Sequence, residues 1–325
     1  MTRVVLALAA SVLLLPATNA TGQTAKAVKV TILSTMLVGN TAAGIGEWGF
    51  AAVLEVDGRR LLVDTGARAD TVLRNAQELK IDLSTITDVV LTHNHTDHTG
   101  GLLTLRRELA GKHPSALSRV HVPKGIFNSR PGPDGREGNG LQPLKAPYEA
   151  TGGQFIEHAG PTALIPGVTM LGPIPRIHPE RNFGSPNGGA VGRVLTSEGL
   201  VEDNVPEDTS LVVNTTEGLV LISGCGHSGI VNAMEHARRT VRAAPIYTAI
   251  GGFHLFAASD ESLAWTAAKL KEFGVRHLMG AHCTGIEAVY RLRELVGLAR
   301  NTAIVGAVGA SYTHGKGFDP TVLAR

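Results

Sequence analysis

The chain has 325 residues, a formal net charge of +2, 43% hydrophobic residues and 18% charged residues. That length allows one large domain or two small ones, with apolar content enough for a sizeable core. Near-neutral charge and 4% aromatic content argue against nucleic acid as a partner, since both a basic footprint and base-stacking platforms are missing.

The chain opens with Arg3, an apolar run over residues 4–15, Pro16, and small residues through Ala20. This pattern reads as an export signal over residues 1–20, with cleavage after Ala20 or as late as residue 27. The run is too short for a comfortable membrane span, although an uncleaved anchor is the alternative. The expectation is a periplasmic or secreted bacterial protein with no stable membrane association after cleavage. Cys225 and Cys283 are the only cysteines, and both lie inside histidine-bearing motifs. They read as site residues more than as a structural staple, with a pair between them left open.

Residues 28–33 alternate and are β-branched, which predicts a strand. A glycine-rich loop over 39–49 carries Trp48, either exposed or lining a pocket. Strands follow over 50–56 and 60–63, joined by the turn Asp57-Gly58, and the second empties into Asp64-Thr65-Gly66. Val72, Leu73, Ala76 and Leu79 have helical spacing over 69–80. A short strand over 89–92 delivers the next motif, and a helix begins at Leu102. Residues 124–190 are rich in glycine and proline, with strands expected only at 154–157 and 168–171, so they read as an irregular insertion or lid. A second glycine run spans Gly184 to Gly189. Strands 210–214 and 219–223 form a hairpin around Glu217-Gly218. Helices over 230–242, 259–273 and up to 298 alternate with strands at 246–250 and 277–279. A last strand over 303–308 closes the chain.

Several of these strands end in glycine-flanked histidines. The densest stretch is Thr92-His93-Asn94-His95-Thr96-Asp97-His98-Thr99-Gly100. Imidazole and carboxylate are ligands that zinc-like divalent metals prefer. His93 and His95 face the same side of an extended segment, while Asp97 and His98 reach a second position. More ligands are offered than one metal needs, which favours two metal ions, zinc first, with iron or manganese as alternatives. Such a centre lowers the pKa of water to about 7 and can hold both attacking and leaving oxygens. His227 and His282, at later strand exits, are candidates to complete it. Cys225 reads either as a bridging thiolate or as a buried thiol. His254 reads as a ligand, a substrate contact or a packed histidine. Asp64 reads as a carboxylate that orients a ligand histidine. His113, His121, His158, His178, His236, His277 and His314 lack such flanks and read as surface or structural. The sequons at Asn19, Asn94 and Asn214 read as chance matches.

The stretch from Thr92 to Gly100, with Leu62-Val63-Asp64-Thr65-Gly66 upstream, resembles the signatures of the metallo-β-lactamase fold superfamily. Gly224-Cys225-Gly226-His227-Ser228-Gly229, Gly251-Gly252-Phe253-His254-Leu255 and His282-Cys283-Thr284-Gly285 resemble its branch of dihydropterin–ribofuranosylaminobenzene phosphate synthases. The resemblance implies an α/β (α+β) fold, an αββα four-layer sandwich over residues 28–325, with metals at one edge. It implies His93, His95, Asp97, His98 and His282 as ligands. The superfamily usually has a histidine before the 219–223 strand, where Glu207-Asp208-Thr209 stands here, and His227 takes its place. Cys225 stands at the position of a bridging aspartate, or of a cysteine in some lactamases. The function expected is an exported metal-dependent hydrolase of an ester, lactone, amide or phosphoester small molecule, with Asp97 as the catalytic group that orients the water. The alternative is a non-hydrolytic metal enzyme, a condensing synthase or an iron-dependent redox enzyme. A binding protein without turnover is a third class.

Overall fold

The structure, a computed structural model, describes residues 22–39, 42–183 and 192–322. The expected export signal over 1–20 and the glycine run from Gly184 to Gly189 lie outside the described residues. The packed chain begins at Ala25, which is buried and bridges to Thr215.

Strands β1 (Val28–Ser34), β2 (Ala51–Val56) and β3 (Arg59–Val63) form an antiparallel meander. Asp57 and Gly58 both take positive φ, 47° and 80°, the mirror-image turn whose twist matches its flanking strands. β2 is buried on both faces: Ala52, Leu54 and Val56 enter one core, Ala51 and Val53 another, as a period of two demands. Helix α1 (Thr71–Glu78) leads to β4 (Asp88–Val90), parallel to β3. Helices α2 (Thr96–Thr99) and α3 (Leu102–Ala110) lead to β5 (Arg119–Pro123), and α4 (Gln142–Glu149) leads to the edge strand β6 (Gln154–His158).

The second sheet starts with β7 (Thr162–Ile165) and β8 (Val168–Met170). A separate hairpin, β9 (Arg193–Thr196) and β10 (Gly199–Glu202), intervenes. The sheet then continues through β11 (Ser210–Asn214), β12 (Leu219–Ser223), α5 (Ile230–Thr240), β13 (Ile246–Gly251), α6 (Asp260–Glu272), β14 (His277–Gly280), α7 (Ile286–Val296) and β15 (Ala303–Val305). Two short strands, β16 (Ser311–Thr313) and β17 (Gly317–Asp319), return to the first sheet, where β16 pairs with β1. Among the described residues the sheet orders are β17-β16-β1-β2-β3-β4-β5-β6 and β15-β14-β13-β12-β11-β8-β7.

Three apolar clusters define the layers. One lies between the sheets, with Val30, Ile32, Leu54, Leu211, Ile222 and Ile250. A second joins Leu62, Val89 and Val120 to α1 and α3 through Val72, Ala76, Leu102 and Leu105. A third joins Leu221, Ala249 and Leu278 to α5, α6 and α7 through Met234, Leu263 and Leu292. The result is an αββα sandwich, whose central strands, such as β2, β11 and β12, are buried on both faces because both faces are covered.

Two sequence expectations need correction. The last predicted strand does not close the chain: β15 ends at Val305, and β16 and β17 cross back to the other sheet. Three-residue strands are too short to show a period. The stretch read as irregular over 124–190 contributes α4, β6, β7 and β8 to the body of the sandwich, with Ile126, Leu141 and Tyr148 in its core. Pro143 and Pro147 obscure α4, since proline is a poor helix residue beyond the first turn.

Candidate metal centre

β3 and β4 run parallel, as do β12, β13 and β14. Their C-terminal ends carry Asp64, the 92–98 stretch, Cys225, His254 and His282. Such carboxyl ends are where open α/β sheets bind ligands.

Asp64 takes φ 53°, a left-handed conformation that aspartate tolerates better than most side chains. Its fully buried carboxylate accepts the Thr92 amide at 2.8 Å, the Thr92 hydroxyl at 2.8 Å and the His98 Nδ1–H at 2.7 Å. This partner assigns the proton to Nδ1 and turns the Nε2 lone pair of His98 into the cluster. His93 Nδ1 in turn meets the Thr92 hydroxyl at 3.0 Å, so the same carboxylate orients the His98 ring directly and the His93 ring through Thr92. A second buried carboxylate, Glu47, braces the turn after Asp64 by accepting from Ser34 Oγ (2.7 Å) and the amides of Ala67 (2.9 Å) and Arg68 (3.1 Å).

The other half of the site comes from the second sheet. A Cβ at Gly224 would collide with Thr92 Oγ1 and Asp64 Oδ2, so glycine there lets the two halves close on each other. His227 donates its Nδ1–H to the Asn182 carbonyl at 2.8 Å. Asp208 Oδ2 accepts the Ser228 amide (2.8 Å) and hydroxyl (2.6 Å), which fixes the turn carrying His227. The His282 amide donates to Thr35 Oγ1 at 2.9 Å. Its Nε2 lies 3.2 Å from His98 Nε2 and 3.3 Å from Asp97 Oδ2. Cys225 Sγ lies 3.3 Å from His254 Nδ1 and 2.8 Å from Cys283 Sγ.

Four overlapping triplets have their donor atoms within 4.8 Å of one another: His93–Cys225–His227, His98–Cys225–His282, His93–Asp97–His98 and Cys225–His254–Cys283. The first two are separate positions that share the Cys225 sulfur. His95 is in none of them, but its ring centroid lies 4.6 Å from that of His93 and 4.8 Å from that of His227. The residues fit a divalent metal centre on two observations. The buried Nε2 atoms of His93 and His227 have no hydrogen-bond partner among the described residues, which costs roughly 1–3 kcal/mol per atom if nothing binds there. The donors are also nitrogen, sulfur and carboxylate oxygen, the set that zinc-like ions take.

Electrostatics agree with ligand duty. Burial, aided by neighbouring imidazoles, pushes His93 and His227 well below the usual histidine value. Burial pulls His95 down to about 4. These rings are therefore neutral, as ligands must be. Burial alone would raise the Asp97 carboxyl, but His98 and His282 outweigh it and hold Asp97 ionised below the ordinary carboxylate range. Burial disfavours a charged His282, yet Cys283 and Asp97 raise it to about 10. Without a metal, this ring carries the proton that a metal would displace.

Thus the structure brings together Asp64, His93, His95, Asp97, His98, Cys225, His227, His254 and His282. The region Glu207–Thr209 supplies no donor to the triplets. Asp208 braces the His227 turn, while Glu207 and Asp203 both hold the Arg130 guanidinium, at 2.7 Å each. Sequence reasoning gave no role to Glu47, Asn182 or Asp208, and none of them carries a local motif that could have marked it. Beside the centre lies a cavity of about 640 Å³ lined by Glu180, Asn182, His254, Phe256 and Trp265 among others. Trp48, edge-on to His282 and to Phe256 with centroids at 5.1 and 5.6 Å, stands near it.

Comparison with known proteins agrees with this geometry. The chain is 30% identical over 266 residues, 80% of its length and 89% of the relative's, to the 7,8-dihydropterin-6-methyl-4-(β-D-ribofuranosyl)-aminobenzene-5'-phosphate synthase of Methanocaldococcus jannaschii. The crystal structure of Tm1679, a metal-dependent hydrolase of the β-lactamase superfamily, superimposes with TM-score 0.66 at 27% identity, covering 87% of this chain and 98% of that one. The metallo-β-lactamase fold protein YhfI from Bacillus subtilis shares the fold at 13% identity and TM-score 0.51, covering 89% of this chain and all of that one. The family model for the metallo-β-lactamase superfamily matches residues 49–238, more than half of the chain, and with the strand-exit histidines in place the chain belongs to that superfamily.

Proposed function

We propose that this chain is a metal-dependent hydrolase of a small ester, lactone, amide or phosphoester, with two divalent ions, zinc first, held in the positions that share Cys225. The observation that carries the reading is the pair of donor triplets, His93–Cys225–His227 and His98–Cys225–His282, placed beside a cavity of about 640 Å³. When bound, the ions supply Lewis acidity and a nucleophile at neutral pH. Asp97 is ionised and about a fifth exposed (21%), so it can accept a hydrogen bond from water and orient it. His254 lines the cavity and its ring lies 4.6 Å from that of His227, which places it to contact substrate. Phe256 and Trp265 give that cavity an apolar wall. The apolar segment over residues 4–15 supports export as the setting for this chemistry.

A second reading, a condensing synthase at the same centre, is favoured by the printed activity of the methanogen relative over most of the chain. Metal analysis of the purified protein, followed by a panel of lactone, ester, phosphodiester and β-lactam substrates, separates the two. Hydrolysis abolished by chelation and restored by zinc is the expected result. A metal-replete protein that hydrolyses none of the panel favours the synthase. A metal-free protein whose turnover ignores chelators overturns both.

A further inference from the structure

Cys283 belongs to neither of the two positions that share Cys225, yet its sulfur lies 2.8 Å from the Cys225 sulfur. That is less than about 1 Å beyond a disulfide bond length of about 2.05 Å. The approach is built into the sheet. Cys225 follows β12 and Cys283 follows β14, the strands on either side of β13. β13 exits between them as Gly251-Gly252, and a Cβ at Gly252 would overlap the Gly224 carbonyl and come within 3.0 Å of Cys283 Sγ. A glycine at this point lets the two sulfurs meet across the central strand. The His254 amide donates to Cys283 Sγ at 3.3 Å, fixing the second sulfur against the first. Both thiols are free and buried, and His254, which touches Cys225 Sγ, also lines the cavity.

We propose that Cys225 and Cys283 form a reversible disulfide, and that this bond and metal occupancy exclude each other because both need the Cys225 sulfur. The second half of the proposal rests on reading Cys225 as the shared metal ligand. The oxidant is a hydroperoxide small enough to enter through the cavity. One cysteine sulfur attacks the peroxide oxygen, the O–O bond breaks, and a sulfenic acid forms with release of water or an alcohol. The second thiol then attacks that sulfur, the S–S bond forms, and water leaves. Two thiols have lost two electrons and two protons, and the peroxide has been reduced. Exchange with an added dithiol returns both thiols. In an oxidising compartment, a protein that has lost its metal would be held in this state until reduced.

The test uses the full chain, metal-free and zinc-loaded, each treated with stoichiometric hydrogen peroxide, alkylated and mapped by mass spectrometry. The metal-free protein is expected to lose two hydrogen atoms in mass and to yield a peptide cross-linking Cys225 to Cys283. The zinc-loaded protein is expected to form it several-fold more slowly. Oxidised protein should bind less zinc, with binding restored by dithiothreitol. Cys283→Ser should give no intramolecular cross-link and still bind zinc when reduced. Absence of the cross-link from oxidised metal-free protein overturns the proposal, as does equal cross-linking with and without zinc. Absence of zinc from the reduced wild-type protein is a failure of the metal reading, seen before any oxidant is added.

Discussion

The first sheet contributes to two histidine–carboxylate groups that are alike in composition and different in use. In one, three rings are each tethered through one nitrogen: His98 to Asp64, His93 to Thr92, His227 to the Asn182 carbonyl. The other nitrogen is left to point inward, and His93 Nε2 and His227 Nε2 have no partner among the described residues. In the other, Asp88 holds His121 Nε2 at 2.9 Å and Arg119 in a two-point contact at 2.7 Å. His121 Nδ1 is taken by His158 at 3.0 Å. Both nitrogens of His121 are spent on hydrogen bonds, so that ring has no lone pair to offer a metal. In His93, His98 and His227 one nitrogen is anchored and the other is left to aim inward, the arrangement expected of a candidate ligand, whereas His121 has neither nitrogen left over.

Replacing ligands on one side and structural partners on the other tests that difference. His95→Ala is expected to have the largest effect, losing metal and turnover together. His95 is less buried than His93 and His98, so this change probes the centre with least damage to the core. Its loss of metal affinity should exceed the roughly 10–100-fold typical of an outer hydrogen-bond partner. Competition with a chromogenic chelator measures this, and unchanged metal content with unchanged turnover would remove the site from consideration. Asp64→Asn is next. Asparagine tolerates the positive φ, but its single acceptor oxygen cannot serve the Thr92 amide, the Thr92 hydroxyl and His98 together. Metal affinity should fall about 10–100-fold with the fold retained, as circular dichroism and metal titration would show. An affinity equal to wild type would mean that the anchored nitrogen is not what makes His98 a ligand.

Asp88→Asn should have the smallest effect, on stability and not on metal. Burial alone would raise the Asp88 carboxyl, but His121 and Arg119 bring it down to about 2, from an ordinary value of 3.8. A lowered folded-state value contributes stability that is present above the unfolded value and is lost as pH falls through the folded one. Wild-type stability should therefore decline between about pH 4 and pH 2, and the variant should lack that part of the decline. Near neutral pH the loss should be on the order of 1 kcal/mol. Denaturant melts across this range, with zinc content measured in parallel, check both halves. A drop in zinc content would dissolve the contrast between the two groups.

Much of the fold was legible where elements are long or patterned. The strand at Val28–Ser34, the hairpin from Ser210 to Ser223 and the helices following β12 and β13 show clear alternation or helical spacing in the sequence. The glycine- and proline-rich middle was not, because its strands are short and α4 carries two prolines. β16 and β17 were not legible either. Each is three residues long, and β16 is placed by pairing with β1, which no local pattern records.

For the site, the sequence alone marked the candidate metal centre. His93, His95, Asp97 and His98 lie within six residues at a strand exit, so spacing and ligand type suffice to read them. The glycine-flanked histidines at 227, 254 and 282 could be named as candidates but not assigned. Only the tertiary structure decided their partners, because His98 and His282 are 184 residues apart in the chain and meet only when the two sheets pack. The same packing decided that His254 borders the cavity, and that Cys225 has Cys283 beside it as well as two histidine pairs around it. Local spacing can say which atoms would bind a metal; only the closure of one sheet on the other, through contacts such as Gly224 against Asp64 and Thr92, decides which of them share it.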